Sequence, residues 1–198
     1  MEHFVLANGV EIPKMGFGCY NLDQERQKEL LLEAIAAGYR HFDTASVYHT
    51  EEALGAAIRE SGLPREAFFL TSKVWRTQMD RPQAAFEASL KALGTSYLDL
   101  YLIHWPRPDL TVEHWKELDV QVWAFLEDCY RQGRVRAIGV SNFLPHHLMN
   151  LFDHCTVRPM VDQLEYHPGY LQEAAVRYCQ EQGILVEAWA PLGRMKLA

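Results

Sequence analysis

The stretch YRHFDTASVYHTEEALGAAIRESG (residues 39–62) reads as one complete strand–turn–helix unit, and the same pattern recurs along the chain. It begins with the short apolar run YRHF and then places five hydrogen-bonding side chains within the seven residues from Asp43 to His49. Thr50 followed by Glu51 and Glu52 is typical of a helix start, and apolar residues at helical spacing follow it. The stretch therefore predicts a βα unit with a polar turn.

Six further apolar runs predict strands, and all but the last precede a helical pattern; they span residues 15–18, 67–73, 97–104, 135–140, 160–165 and 184–189. Successive parallel strands need a long crossover, usually a helix, so this alternation predicts a parallel sheet covered by helices. Ahead of it, FVLANGVEI (4–12) predicts a β-hairpin that turns at Asn8-Gly9. Seven units behind a hairpin favour a (β/α) barrel over an open doubly wound sheet, formed by residues 1–198 as a single domain.

Composition limits the classes of partner. The chain has 198 residues, 48% of them hydrophobic, and a net charge of −7, which argues against binding to nucleic acid or to anionic membranes. No apolar run approaches the ~18 residues of a membrane span, and the N-terminus does not resemble a signal peptide. The four cysteines are far apart with no CxxC motif, which favours a reduced, cytoplasmic protein without a zinc site.

Polar side chains stand at the carboxyl end of one predicted strand after another, and functional groups of a β/α barrel lie at that end. The sequence therefore predicts that one rim of the barrel carries the following set: Asp43, Lys73, His104, Ser141, Asn142, Gln163, Glu187 and Trp189.

Tyr48 suggests the chemistry of this rim. A free phenol has a pKa of ~10, and we expect the ammonium of Lys73, held by Asp43, to lower that pKa and make Tyr48 a general acid. His104 would orient a carbonyl oxygen. The sequence offers no nucleophile motif, so an acid of this kind needs an external hydride donor. A metal-dependent hydrolase using His41, Asp43 and His104 is the alternative, and it would leave Tyr48 and Lys73 without a role.

Several motifs resemble the aldo-keto reductase superfamily, in particular its bacterial 2,5-diketo-gluconate-reductase-like members. The resembling segments run in the family's order: MGFG, GYRHFDTASVYHTEEALGAAI, LTSKVW, YLDLYLIHWP, VRAIGVSNF, VDQLEYHP and EAWAPLG. The resemblance implies a TIM barrel with an N-terminal hairpin plugging its bottom. It also implies reduction of a small carbonyl compound by NADP(H), with NAD(H) as the open alternative.

The same resemblance assigns residues to roles. It implies a catalytic tetrad of Asp43, Tyr48, Lys73 and His104, with Tyr48 as the proton donor. The cofactor-binding positions it implies are Gly18, Asp43, Ser141, Asn142, Gln163, Trp189, Pro191, Leu192 and Gly193. Substrate-facing positions would be Tyr20, His49, Trp75, Trp105 and His104. Two structural alternatives stay open: Ser141 and Asn142 as caps of the helix near Pro145, and Trp189 as a core residue.

The chain departs from the family pattern at PLGRMKLA (191–198), directly after the seventh predicted strand. The expected eighth βα unit, with its cofactor-binding lysine and arginine, is absent from this sequence. The chain is then expected to be a fragment of a longer reductase, a short form that self-associates through open barrel edges, or an inactive relative. A nucleotide-binding or regulatory barrel with little catalysis is the corresponding functional alternative.

Overall fold

The computed structural model describes residues 2–109 and 111–193. It begins with an antiparallel hairpin of β1 (His3–Val5) and β2 (Glu11–Pro13), in which Phe4 lies opposite Ile12. Gly9 adopts a φ of 85° in the turn, a conformation that glycine tolerates without steric cost. The carbonyl oxygen of Pro13 lies 3.4 Å from Nδ1 of His41, at the start of a barrel strand. The hairpin therefore covers the N-terminal end of the barrel, and this prediction is confirmed.

In the described part of the chain, seven parallel strands form one sheet in chain order, nearly closed into a barrel. The strands are β3 (Gly16–Gly18), β4 (His41–Asp43), β5 (Phe69–Val74), β6 (Leu98–Ile103), β7 (Val135–Ser141), β8 (Val161–Glu165) and β9 (Leu185–Trp189). Each overlaps a run that the sequence predicted, so the parallel-sheet and barrel predictions are confirmed. Within the described residues, β3 pairs only with β4 and β9 pairs only with β8.

Six α-helices within the described residues cover the outside of the sheet: α1 (Gln27–Ala36), α2 (Glu51–Glu60), α3 (Pro82–Leu93), α4 (Trp115–Arg131), α5 (Pro145–Phe152) and α6 (Glu173–Glu181). None of these described helices is long and apolar enough to cross a bilayer. The core lies where the central strands meet them, and every residue of β5 and β6 is buried. Because β5 and β6 are buried on both faces, their carboxyl ends hold the side chains that follow them in fixed positions.

Candidate active site

The four side chains predicted to form the catalytic tetrad come from consecutive elements and meet at one end of the sheet. Asp43 ends β4, Lys73 lies next to the last residue of β5, and His104 directly follows β6. Tyr48 ends a short 3-10 helix, Ser46–Tyr48, in the turn between β4 and α2. Because the strands are parallel and in register, the ends of three neighbouring strands supply these groups to one rim.

Lys73 is the centre of this group, and its side chain is completely buried. Its Nζ donates to Oδ1 of Asp43 at 2.5 Å, to the carbonyl oxygen of Thr44 at 3.0 Å and to the hydroxyl of Tyr48 at 3.4 Å. All three N–H bonds of the ammonium are therefore used, and its charge is balanced by Asp43. This is the arrangement in which a buried charge is tolerated.

The turn that carries Tyr48 is held by two contacts that the sequence did not reveal. The hydroxyls of Thr44 and Thr50 lie 2.8 Å apart, and both residues are completely buried. Ser46 donates to Oε1 of Gln78 at 2.7 Å, which ties the turn to the segment after β5. No local pattern marks either contact, and the one between Ser46 and Gln78 joins positions 32 residues apart. Only the fold shows that they position Tyr48.

The expectation that the pKa of Tyr48 is lowered proves wrong in its net direction. Burial is the largest cause and raises the pKa of the phenol, and the negative charge of Asp43 also raises it. Lys73 lowers the pKa through its charge and its hydrogen bond, as expected, but burial outweighs that effect. Tyr48 is therefore a phenol that keeps its proton at neutral pH, beside an ammonium that can stabilise the phenolate once it forms.

His104 completes the group on the other side of Tyr48. Its Nε2 lies 3.2 Å from the Tyr48 hydroxyl, and Trp75 packs edge-on against its ring with 4.9 Å between the ring centroids. Burial lowers the pKa of His104 from 6.5 to about 2, helped by the charges of Lys73 and Arg76. The imidazole is thus neutral at physiological pH. Its buried Nδ1 has no hydrogen-bond partner in the described part of the chain.

A second polar network lies beside the tetrad, on the ends of β7, β8 and β9. Trp189 Nε1 donates to Oδ1 of Asn142 at 2.9 Å, and Nδ2 of Asn142 donates to the carbonyl oxygen of His104 at 3.0 Å. Ser141 donates to the carbonyl oxygen of Gln163 at 2.8 Å, and the Gln163 amide donates to Oδ2 of Asp43 at 2.8 Å. The four predicted cofactor-binding side chains of these strands are therefore connected to the tetrad.

The alternative that Ser141 and Asn142 cap helix α5 is wrong. The helix is capped by Leu144, whose N–H donates to Nδ1 of His147 at 3.0 Å. Asn142 has a φ of 63°, in the left-handed region, and uses its side chain on His104 and Trp189. Asparagine tolerates this conformation better than most residues. The Asn142 side chain is thus turned towards His104, and the Ser141 hydroxyl bonds to β8.

The remaining predicted cofactor positions lie at the edges of the described barrel. Gly18 ends β3 opposite Asp43 in the register, and a Cβ atom there would meet nothing within 4 Å. Pro191, Leu192 and Gly193 follow β9 directly, and Leu192 is 70% exposed. The space beside Gly18 is therefore open to a ligand.

Of the four aromatic residues predicted to face substrate, two contact the tetrad directly. Tyr20 packs edge-on against Tyr48 with centroids 5.1 Å apart, and Trp75 packs against His104. His49 adopts a left-handed φ of 56° directly after Tyr48, and Trp105 is 39% exposed beside His104 in the sequence. Two of the predicted substrate-facing rings therefore pack directly against the tetrad.

The alternative of a metal-dependent hydrolase requires His41, Asp43 and His104 to converge on one ion. Among the described residues, no group of three or more His, Cys, Asp or Glu side chains is arranged to hold a metal ion. His104 faces Tyr48. His41 instead faces Thr71, at 3.1 Å, and Glu187, at 3.7 Å.

Comparisons with known proteins agree with this geometry. The model of the Aldo/keto reductase family matches residues 14–198. The chain is 45% identical to a glyoxal reductase of Bacillus subtilis over 94% of its own length and 66% of that protein. It matches a crystal structure of an aldo/keto reductase from Brucella melitensis with a TM-score of 0.90 and 39% identity, covering 97% of this chain and 73% of that one. An aldo-keto reductase of Bombyx mori in complex with NADP matches with a TM-score of 0.85 and 34% identity, over 96% and 66% of the two chains. The chain spans about two thirds of the length of the first curated relatives, 65–66%.

Proposed function

The chain belongs to the aldo/keto reductase family, and from that premise we propose that it reduces aldehydes or ketones to alcohols with NADP(H) as hydride donor. The observation that carries the proposal is the position of the Tyr48 hydroxyl, 3.4 Å from Nζ of Lys73 and 3.2 Å from Nε2 of His104. A nicotinamide nucleotide, when bound, supplies the hydride. NADP(H) is favoured because similar solved structures are complexed with NADPH or NADP.

The residues on the rim fit such a nucleotide. The amides of Asn142 and Gln163 offer donors and acceptors to a carboxamide, and the indole of Trp189 offers a flat apolar surface next to them. Open space at Gly18 lies on the strand aligned with Asp43. We therefore assign these residues, with Ser141, Pro191, Leu192 and Gly193, to cofactor binding.

The chain's own contribution to the reaction is to orient a carbonyl and deliver a proton. The neutral imidazole of His104 polarises the carbonyl oxygen together with the Tyr48 hydroxyl. As negative charge develops on that oxygen, Tyr48 donates its proton to it. The raised pKa of Tyr48 does not prevent this step, because an alkoxide is a much stronger base than a phenolate. Lys73 stabilises the phenolate that forms, and Asp43 holds Lys73 in place.

We assign Tyr20, His49, Trp75 and Trp105 to a substrate site for a small carbonyl compound. Tyr20 and Trp75 lie against Tyr48 and His104, the two groups proposed to meet the carbonyl oxygen. A relative named as a glyoxal reductase supports a dicarbonyl as the first compound to test.

The test is oxidation of NADPH, followed at its absorbance maximum, with glyoxal as substrate. Tyr48→Phe is expected to abolish turnover while the protein still folds and binds NADPH, with some loss of stability because the buried Lys73 ammonium loses an acceptor. Tyr130→Phe is the matched control, since the Tyr130 hydroxyl accepts a hydrogen bond from Asn8 at 3.3 Å and touches no tetrad residue among those described. Retained turnover in Tyr48→Phe would reject the role of Tyr48 as proton donor.

Three wider proposals accompany this function. One continuous sheet supports the interpretation of the chain as a single domain. The four free cysteines support a reduced compartment, for which we propose the cytoplasm. The edges of β3 and β9, unpaired among the described residues, support self-association by strand pairing. Light scattering across a concentration series tests the last of these, and a constant mass of one chain would reject it.

A further inference from the structure

Inside the barrel, a second group of polar side chains lies next to the Asp43–Lys73 pair, and the proposed mechanism does not use it. Glu187 on β9 places Oε1 3.7 Å from Nε2 of His41 on β4. The same Nε2 is 3.1 Å from the hydroxyl of Thr71, and Nδ1 of His41 is 3.4 Å from the carbonyl oxygen of Pro13. Because that carbonyl can only accept, Nδ1 carries a proton. Nε2 then either accepts from Thr71 or, in the charged ring, faces Glu187 as a donor.

This second group is connected to the tetrad through Gln163. Gln163 lies opposite Glu187 in the register of β8 and β9, and its Nε2 donates to Oδ2 of Asp43 at 2.8 Å. The Gln163 side chain also acts to lower the pKa of Glu187, against the larger effect of burial. The amide therefore lies between two carboxyl groups. Oε2 of Glu187 is buried with no hydrogen-bond partner among residues 2–109 and 111–193.

The charges of this region balance only if one more proton is present. The titratable groups facing Glu187 are His41 and Asp43 from β4 and Lys73 from β5. Asp43 and Lys73 neutralise each other, so an ionised Glu187, whose side chain is 18% exposed, would leave one largely buried negative charge. Burial raises the pKa of Glu187, while the charges of His41 and Lys73 act in the opposite direction. A proton on the Glu187 carboxyl removes that charge.

We propose that Glu187 is a positioning residue of the reduction: its carboxyl retains a proton beside His41 inside the barrel, and it fixes the Gln163 amide against Asp43. The kinetic consequence rests on the proposed function, whereas the retained proton does not. When Glu187 loses its proton at alkaline pH, a net negative charge appears beside Asp43, Lys73 and Tyr48. That charge disfavours the Tyr48 phenolate, so ionisation of Tyr48 shifts to higher pH.

The test compares Glu187→Gln with Glu165→Gln. Glu165 is a matched control because it also faces a histidine, with Oε1 3.4 Å from Nε2 of His167, but it is 33% exposed. Ionisation of Tyr48 is followed by NMR of protein labelled at the tyrosine Cζ, with the signal assigned by its loss in Tyr48→Phe. We expect Glu187→Gln to lower the Tyr48 midpoint by about 0.5–1 pH unit and Glu165→Gln to leave it in place. An unchanged midpoint in Glu187→Gln, or an equal shift in both variants, would overturn the proposal.

A second measurement needs no substitution and applies even if Glu187→Gln does not fold. In the unaltered protein, the side-chain amide signals of Gln163 and the side-chain carboxyl carbon signal of Glu187 are expected to change together in one titration step below the Tyr48 midpoint. Independent steps, or a Gln163 amide that does not respond, would reject the proton on Glu187.

Neither NMR measurement requires turnover, so the proposed reduction and the proposed role of Glu187 can be rejected independently of each other. A Tyr48 midpoint that shifts in Glu187→Gln, while the protein does not oxidise NADPH, supports the proton on Glu187 and rejects only the reduction. In an active protein, Glu187→Gln is also expected to move the alkaline limb of the kcat profile in the direction of the NMR midpoint. A change in stability alone would not move that limb, and a limb that stays in place while kcat falls would reject the positioning role.

Discussion

Replacing Lys73 by methionine tests the centre of the site, because methionine keeps much of the length of the side chain and removes its charge. The substitution takes three hydrogen-bond donors from Asp43, the Thr44 carbonyl and the Tyr48 hydroxyl. Asp43 is left with the Gln163 amide as a donor to its other oxygen. Removing one partner of a buried ion pair costs about 3–5 kcal/mol of stability. Loss of the cation beside Tyr48 also raises its pKa further, and we expect kcat to fall by about 100- to 10,000-fold.

The matched control is Lys14→Met. Lys14 also pairs with a carboxylate, Oε2 of Glu2 at 2.7 Å, but the two side chains are 37% and 81% exposed. Exposed pairs contribute about 0–1 kcal/mol, so urea unfolding should separate the two variants clearly. Adding Asp43→Asn to Lys73→Met should restore part of the lost stability without restoring turnover, because it removes the unpaired charge. Equal losses in the two single variants, or no recovery in the double variant, would refute the account of a buried ion pair.

Three further predictions concern other parts of the molecule. Burial raises the pKa of Asp119 from 3.8 to about 7, although a hydrogen bond from the Arg107 N–H acts to lower it. Between these two pH values the folded state holds a proton that the unfolded state releases. The free energy of unfolding therefore falls as the pH rises from 3.8 to about 7. Asp119→Asn keeps an acceptor for the Arg107 N–H and removes the charge, so at pH 8 it should be more stable than wild type by about 2–4 kcal/mol in urea unfolding. At pH 4 this gain should be absent. An equal difference at both pH values would contradict the raised pKa of Asp119. Gly55→Ala places a Cβ 2.4 Å from the carbonyl oxygen of Leu93, where α2 meets α3, and should cost about 1–3 kcal/mol in urea unfolding; an unchanged midpoint would show that the helices separate freely. Trp189→Ala should weaken NADPH binding about tenfold in a fluorescence titration while the protein still unfolds cooperatively, whereas lower stability with unchanged affinity would assign Trp189 to the core.

The local sequence pattern predicts some residues of the candidate site and misses others. The sequence predicts that Asp43, Lys73 and His104 share a rim, because all three stand at the carboxyl ends of predicted parallel strands, and the structure brings them together with Tyr48. The sequence did not indicate Gln78, which holds the Tyr48 turn through Ser46. A glutamine in a polar segment has no periodicity or motif that marks its contact with a residue 32 positions away.

The direction of the Tyr48 pKa shift could not be predicted from the sequence. Sequence reasoning identified the neighbouring ammonium and Asp43 correctly, yet it reached the wrong net sign. The sign depends on how completely the phenol is removed from water, and burial is a sum over elements that are distant in the chain. The pairing of Glu187 with His41 is of the same kind, since 146 residues separate them and no shared motif connects them.

The sequence by itself determined the order and type of the elements: an N-terminal hairpin, seven strands alternating with helices, and polar residues where the strands end. These features follow from apolar periodicity and turn residues, which are local properties of the chain. Only the tertiary structure decided which of those polar groups touch, which nitrogen faces which oxygen, and which charges are buried. Those properties depend on strand register and on the curvature of the sheet, which bring together residues far apart in the chain and therefore leave no local trace in it.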